Sequence, residues 1–124
     1  MEFEEFKSRI QNSIPVGTKL ENPGGGVSTI TSHKDEKLGY IRGSSTIYVA
    51  YHDLFDAYSE FKGGNVTSSS LKEYAPSIFD PKARPAGHSC NCTFLFMVLQ
   101  QLGLAGNIGG KGVKADPYFV RVAG

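Results

Sequence analysis

Chemistry-bearing residues are densest between Gly87 and Thr93, where the chain reads GHSCNCT before running into the apolar stretch FLFMVLQQLGL. His88, Cys90 and Cys92 form H-x-C-x-C, three soft donors. A structural zinc site normally takes four ligands, and His33 and His52 lie in distant segments, so the sequence favours no metal. A thiolate at a helix amino end with His88 as its base is a second chemistry, a nucleophile, although a third member that would orient the base is missing. A third is binding alone. Ser89 and Asn91 beside His88 would sit at the amino end of a helix, where free backbone N–H groups and the helix dipole favour anions.

Other segments add groups that suit a phosphate. NPGGG at 22–26 and NIGGKG at 107–112 are glycine turns that expose N–H groups, although neither matches a nucleotide-binding loop. Arg42 opens the run RGSS, and the last third of the chain carries Lys82, Arg84, Lys111, Lys114 and Arg121 with few acids between them. Arginine grips phosphate as a bidentate fork, lysine as a point charge. Phe79, Tyr118 and Phe119 offer rings on which a base could stack.

The elements that must position these groups can be read from periodicity. Phe3, Phe6 and Ile10 at helical spacing, with acids early and bases late, predict a first helix over 2–13, ended by Pro15 and Gly17. Short β-branched runs at 18–20, 27–31, 38–42 and 46–51, separated by NPGGG, HKDEK and RGSS, predict three or four antiparallel strands in a meander. In the last of them Ile47, Val49 and Tyr51 alternate with Tyr48 and Ala50, which suggests cover on both faces. The period then lengthens. Leu54, Phe55, Tyr58 and Phe61 predict a second helix capped by Asp53 and closed by Gly63-Gly64. A short third helix follows, with Thr67 to Ser70 as candidate caps and Pro76 as its stop, then a proline-bearing loop over 77–86. A long buried helix at about 90–103 comes next, and a final strand at 118–122. The expected class is α+β: a small antiparallel β-core decorated by an N-terminal helix and a C-terminal helical part.

At 124 residues the chain fits one domain, 1–124. A net charge of +1 argues against wholesale attraction to nucleic acid or an anionic membrane. No run approaches the roughly 18 apolar residues that a span requires, and no secretion signal precedes the first helix, so the expectation is a cytoplasmic protein with reduced cysteines.

Three stretches together, NPGGGVSTI, YIRGSSTIYV and the loop from Phe79 into GHSCNCTF, resemble the phage anti-Thoeris sponge proteins, the first Thoeris anti-defence family. The resemblance implies a β-core with helices and a homo-oligomer, dimer or hexamer. It implies binding of cyclic ADP-ribose isomers made by bacterial TIR-domain enzymes, and in some members cyclic trinucleotides. Such proteins sequester the signal in the infected host's cytoplasm without cleaving it, with no cofactor, metal or catalytic residue. On this resemblance Phe79 is the aromatic stacker and Asn91 the polar contact. Arg42, Arg84 and Arg121 are the candidates for the phosphates, with Lys111 and Lys114 as substitutes and His88 and Ser89 at the ligand edge.

Two other readings stand beside it. The order of helix two, the capped short helix, the long helix and a glycine-rich β return is that of a winged helix-turn-helix, which suggests a nucleic-acid or protein-interaction module. The long helix, however, has almost no polar face with which to read base edges, so nucleic acid is the weaker partner. A thiol or metal enzyme using His88, Cys90 and Cys92 is the third.

Overall fold

A computed structural model describes residues 1–83 and 87–124. The fold is α+β. In chain order it contains α1 (Phe3–Ser13), β1 (Lys19–Glu21), β2 (Val27–Lys34), β3 (Lys37–Arg42), β4 (Ser45–Ala50), α2 (Tyr51–Phe61), β5 (Asn65–Thr67), α3 (Ser68–Tyr74), α4 (Pro76–Phe79), α5 (Cys90–Gln101) and β6 (Phe119–Arg121).

The meander is as expected: β1-β2-β3-β4 in spatial order, every pair antiparallel. Turn chemistry fixes its register. Lys34 pairs with Lys37 across a two-residue turn in which Asp35 and Glu36 both have positive φ, at 56° and 61°, the twist that suits a tight hairpin. Arg42 pairs with Ser45 around Gly43, whose φ of 61° a side chain would strain. Alternation then sends Leu20, Ser28, Ile30, Leu38, Tyr40, Ile47 and Val49 to the buried face. The opposite face is open: Tyr48 is 60% exposed, so β4 is covered on one side and not two.

Against the buried face lies α5, every residue of which from Asn91 to Leu99 is buried. Tyr40 stacks on Phe94 with ring centroids 3.7 Å apart and planes 4° from parallel. The other sides of α5 meet α3 and α4. Such a helix has no amphipathic stripe because it has no solvent face. The apolar residues of sheet and helices form one cluster, with Phe6 and Ile10 of α1 and Leu54 and Tyr58 of α2 in it.

Three local expectations change. Asp53 lies in the first turn of α2, not at its cap, because the helix starts directly from β4 at Tyr51. The segment 77–86 begins with a single helical turn, α4, with Pro76 at its first position, where a missing N–H does no harm. Asn65–Thr67 is a strand, β5, which pairs antiparallel with β6. Isolated bridges Ala105–Val122 and Gly109–Phe119 bring the chain after α5 onto the other edge of β6. From α2 onwards the order is therefore helix, strand, helix, a single helical turn, helix and β return, which differs from a winged helix by the extra turn α4. The helix that would enter a groove is walled in by the meander.

Candidate functional site

Arg42 is the last residue of β3, on the buried face of the sheet, and register places it opposite Ser28. Its guanidinium is held on two sides. Nε donates to Ser28 Oγ at 2.9 Å, and Nη1 donates to Thr93 Oγ1 of α5 at 2.7 Å. Ser28 Oγ in turn donates to Asn22 Oδ1 at 2.7 Å, and Thr93 Oγ1 donates to the Cys90 carbonyl at 3.4 Å. One chain of hydrogen bonds thus runs from the NPGGG turn through Arg42 to the amino end of α5. Arg42 Nη2 remains. Among the described residues it is a buried side-chain polar atom with no hydrogen-bond partner. A buried donor without an acceptor costs about 1–3 kcal/mol, more when charged, so an anion that accepts from Nη2 has a ready gain.

Two cavities meet at Arg42, Thr93 and Tyr118. Cavity one, of about 610 Å³, is formed by the NPGGG turn with Val27, Thr29, Ile41, Gly43 and the three shared residues. Cavity two, of about 450 Å³, lies beneath α3 and the start of α5, with Ser68, Ser69, Lys72, Ser89, Cys90 and Lys114 among its walls. Both are in the size range of small-ligand sites. Among the described residues neither has an aspartate or glutamate in its lining. Tyr118 forms the wall between them: a Cβ on Gly112 would fall 2.4 Å from its ring, and a Cβ on Gly24 would fall 3.2 Å from its hydroxyl. The two glycine turns are therefore pressed against one aromatic ring, which a larger residue at 112 would displace.

The residues named from sequence are distributed unequally over this geometry. Arg42 is central, and Ser89 and Lys114 line cavity two. Phe79 does not line either cavity; it is 0% exposed in the core. Asn91, 2% exposed, is likewise structural: its Oδ1 accepts from Tyr40 Oη at 2.8 Å and its Nδ2 donates to the Ile78 carbonyl at 2.9 Å. Both sit on the inner side of the collar, where the helix must meet the sheet and α4, so the structure places them among the core residues and outside both cavity linings. His88 and Lys111 are exposed and outside both linings. Arg121 is also exposed and donates from Nη2 to the Gly63 carbonyl at 3.4 Å. Arg84 lies outside the described residues.

The soft donors do not converge. Cys92 is buried and its thiol is pushed up to about 12 by burial, which removes it as a nucleophile at neutral pH. Cys90 is half-buried at the lip of cavity two. Among the described residues no three of His, Cys, Asp and Glu gather as a metal site would require. Burial, first, also raises Tyr40 above the ordinary phenol range, partly offset by the Arg42 charge. Among the described residues no helix is long and apolar enough to cross a membrane.

Sequence reasoning missed Ser28, Ser68, Ser69 and Lys72, and named Tyr118 only as one ring among three. A signal existed for Ser28: it occupies an inward position between Leu20 and Ile30, and a serine there needs a partner. Lys72 had none, being an ordinary helical lysine until α3 is placed. Compared with known proteins, the chain matches no family model, no curated protein and no solved structure.

Proposed function

We propose that this chain is a phage-encoded binding protein that captures a phosphate-bearing nucleotide signal, a cyclic ADP-ribose isomer, and holds it uncleaved so that an antiviral effector stays unactivated. Cyclic trinucleotides are the second ligand class of the same reading. The observation that carries it is Arg42, which lines both cavities and whose buried Nη2 has no partner among the described residues. A phosphate oxygen accepts from the guanidinium, which the fixed Nε and Nη1 bonds hold in place. Tyr118 takes the stacking role that the resemblance gave to Phe79, since its ring borders both cavities. A sponge requires tight binding of the ground state and no group poised against it. The site of action is the cytoplasm of the infected cell, and the working form is a homo-oligomer.

The test is ligand recovery. Purified protein is incubated with a TIR-produced cyclic ADP-ribose isomer, separated from free ligand, then heat-denatured, and the supernatant is chromatographed. Return of intact ligand supports sequestration. Return of a product means an enzyme, and failure to deplete ligand at micromolar protein ends the reading.

A winged-helix-like interaction module is the second reading, supported by the order α2, β5, α3, α5 and the β6 return once the single turn α4 is set aside. Full burial of Asn91 to Leu99 weighs against major-groove contact through α5. Steeply salt-dependent retention on duplex DNA would revive it.

A further inference from the structure

Cavity two differs in charge from its neighbour. Among the described residues Arg42 is the one cation in the lining of cavity one, whereas Arg42, Lys72 and Lys114 all line cavity two. No carboxylate within ion-pair distance is recorded for any of the three among the described residues, where the single pair is Lys7 with Glu36. Hydroxyls fill much of the remaining wall: Ser68, Ser69, Ser89 and Thr93.

Local structure explains the convergence. The Thr67–Ser70 capping box starts α3 at Ser68, so Ser68 and Lys72, four apart, share one helix face. Gly112, with φ of 73° and its Cα against the Tyr118 ring, turns the 107–117 segment so that Val113 and Lys114 close the far side. Three like charges around one hollow repel each other, and a polyanion placed among them reverses the sign of that term. A volume of about 450 Å³ exceeds what one phosphate group fills.

We propose that cavity two is a polyphosphate subsite that takes a compact anion of the pyrophosphate class, with or without a nucleoside attached. The Arg42 guanidinium and the ammonium groups of Lys72 and Lys114 hold the oxygens, and the serine hydroxyls donate to those that remain. The proposal goes beyond capture of a nucleotide signal, because the anion alone suffices. A nucleoside, where present, extends past Tyr118 into cavity one, whose lining is mainly glycine and apolar.

Inorganic pyrophosphate, titrated calorimetrically into the folded protein at low salt, is the probe. Lys72→Gln should weaken binding about tenfold and Lys114→Ala about threefold, the difference following from the greater burial of Lys72. Lys111→Ala, an equal charge change in the same loop but outside the cavity, should leave affinity within twofold. Cys90 reports location: pyrophosphate should slow its alkylation by iodoacetamide severalfold, while buried Cys92 stays unreacted. Equal losses in Lys111→Ala and Lys114→Ala would mean diffuse charge and overturn the subsite. So would absence of pyrophosphate binding at millimolar concentration, or binding that leaves Cys90 alkylation unchanged. Val27→Trp, which crowds cavity one from β2 and lies outside the lining of cavity two, should weaken ADP and spare pyrophosphate; loss of both would place the anion in cavity one. Pyrophosphate binding without capture of cyclic ADP-ribose would end the sequestration reading and leave the subsite standing.

Discussion

Two polar links cross the same seam between the meander and α5, and they differ in one respect. At Asn91 the link is closed. The amide accepts a hydrogen bond from Tyr40 Oη and donates one to the Ile78 carbonyl, and sheet, α5 and α4 are tied together with each of those groups paired. At Arg42, two residues further along β3, the link is open, because two guanidinium nitrogens hold Ser28 and Thr93 while the third has no partner among the described residues. A closed network contributes rigidity and a unique docking of helix on sheet. An open one leaves a buried donor unsatisfied. On the proposed function, the difference gives stability to Asn91 and binding to Arg42.

The largest expected effect comes from breaking the closed link. Asn91→Leu removes the acceptor of a buried phenol and the donor to a part-buried carbonyl, and orphaning two such groups costs about 2–4 kcal/mol. Chemical denaturation should show the loss as a lower midpoint with an unchanged slope. At temperatures where the variant is still folded, its pyrophosphate affinity should match that of the parent protein. A selective loss of affinity with unchanged stability would return Asn91 to the ligand site.

Breaking the open link should do the converse. Arg42→Met keeps an unbranched chain of similar reach, and Ser28 and Thr93 keep their bonds to Asn22 and the Cys90 carbonyl. Stability should change by less than about 1 kcal/mol, since the buried unpaired donor goes with the charge. Binding of pyrophosphate or nucleotide should fall by about 2–3 kcal/mol, the worth of hydrogen bonds to a charged group in a protected site. Arg42→Lys should rescue little of it, because one ammonium cannot hold Ser28 and Thr93 and still face the ligand.

How much of this contrast the amino-acid sequence discloses depends on the range of the interaction. Hairpins whose turn residues adjoin their strands are readable: the segments around Asp35-Glu36 and Gly43 identify the meander, and an apolar run from Phe94 to Leu99 identifies a buried helix. Arg42 is readable as a phosphate candidate by type alone. Its role is not, because Thr93 lies 51 residues away and only docking of α5 on the sheet brings them together. The burial of Phe79 and Asn91 is hidden for the same reason: a polar or aromatic residue beside a helix start suits a ligand edge equally well until the fold is assembled, when Tyr40 and the Ile78 carbonyl pair with Asn91 and Phe79 enters the core. β5 escapes notice because three residues carry too little alternation, and its partner β6 comes more than fifty residues later.

Alkaline pH offers the smallest and sharpest separation. The Cys92 thiol, raised from 9.0 to about 12 by burial, and the Tyr40 phenol, raised from 10.0 by burial, both hold their protons in the folded state at a pH where the unfolded chain releases them. With fewer protons bound by the unfolded form, stability must fall as pH rises. The decline begins near pH 9 from Cys92 and continues towards 12, with Tyr40 adding to it above 10. Each group contributes a slope of about 1.4 kcal/mol per pH unit inside its window. Tyr40→Phe removes only the second part. Its denaturation midpoint should be lower than the parent's at pH 7, where it leaves Asn91 Oδ1 without its donor, and the gap should narrow above pH 10. Arg42→Met gives the complementary curve, since loss of a cation beside Tyr40 raises the phenol further and extends the alkaline decline upward in pH. Parallel curves for the two variants would mean that the links do not meet at Tyr40. A narrowing gap in one and an extended decline in the other would locate the boundary between the closed and open halves of the seam at the Tyr40 ring, over which the Arg42 guanidinium lies at 5.9 Å.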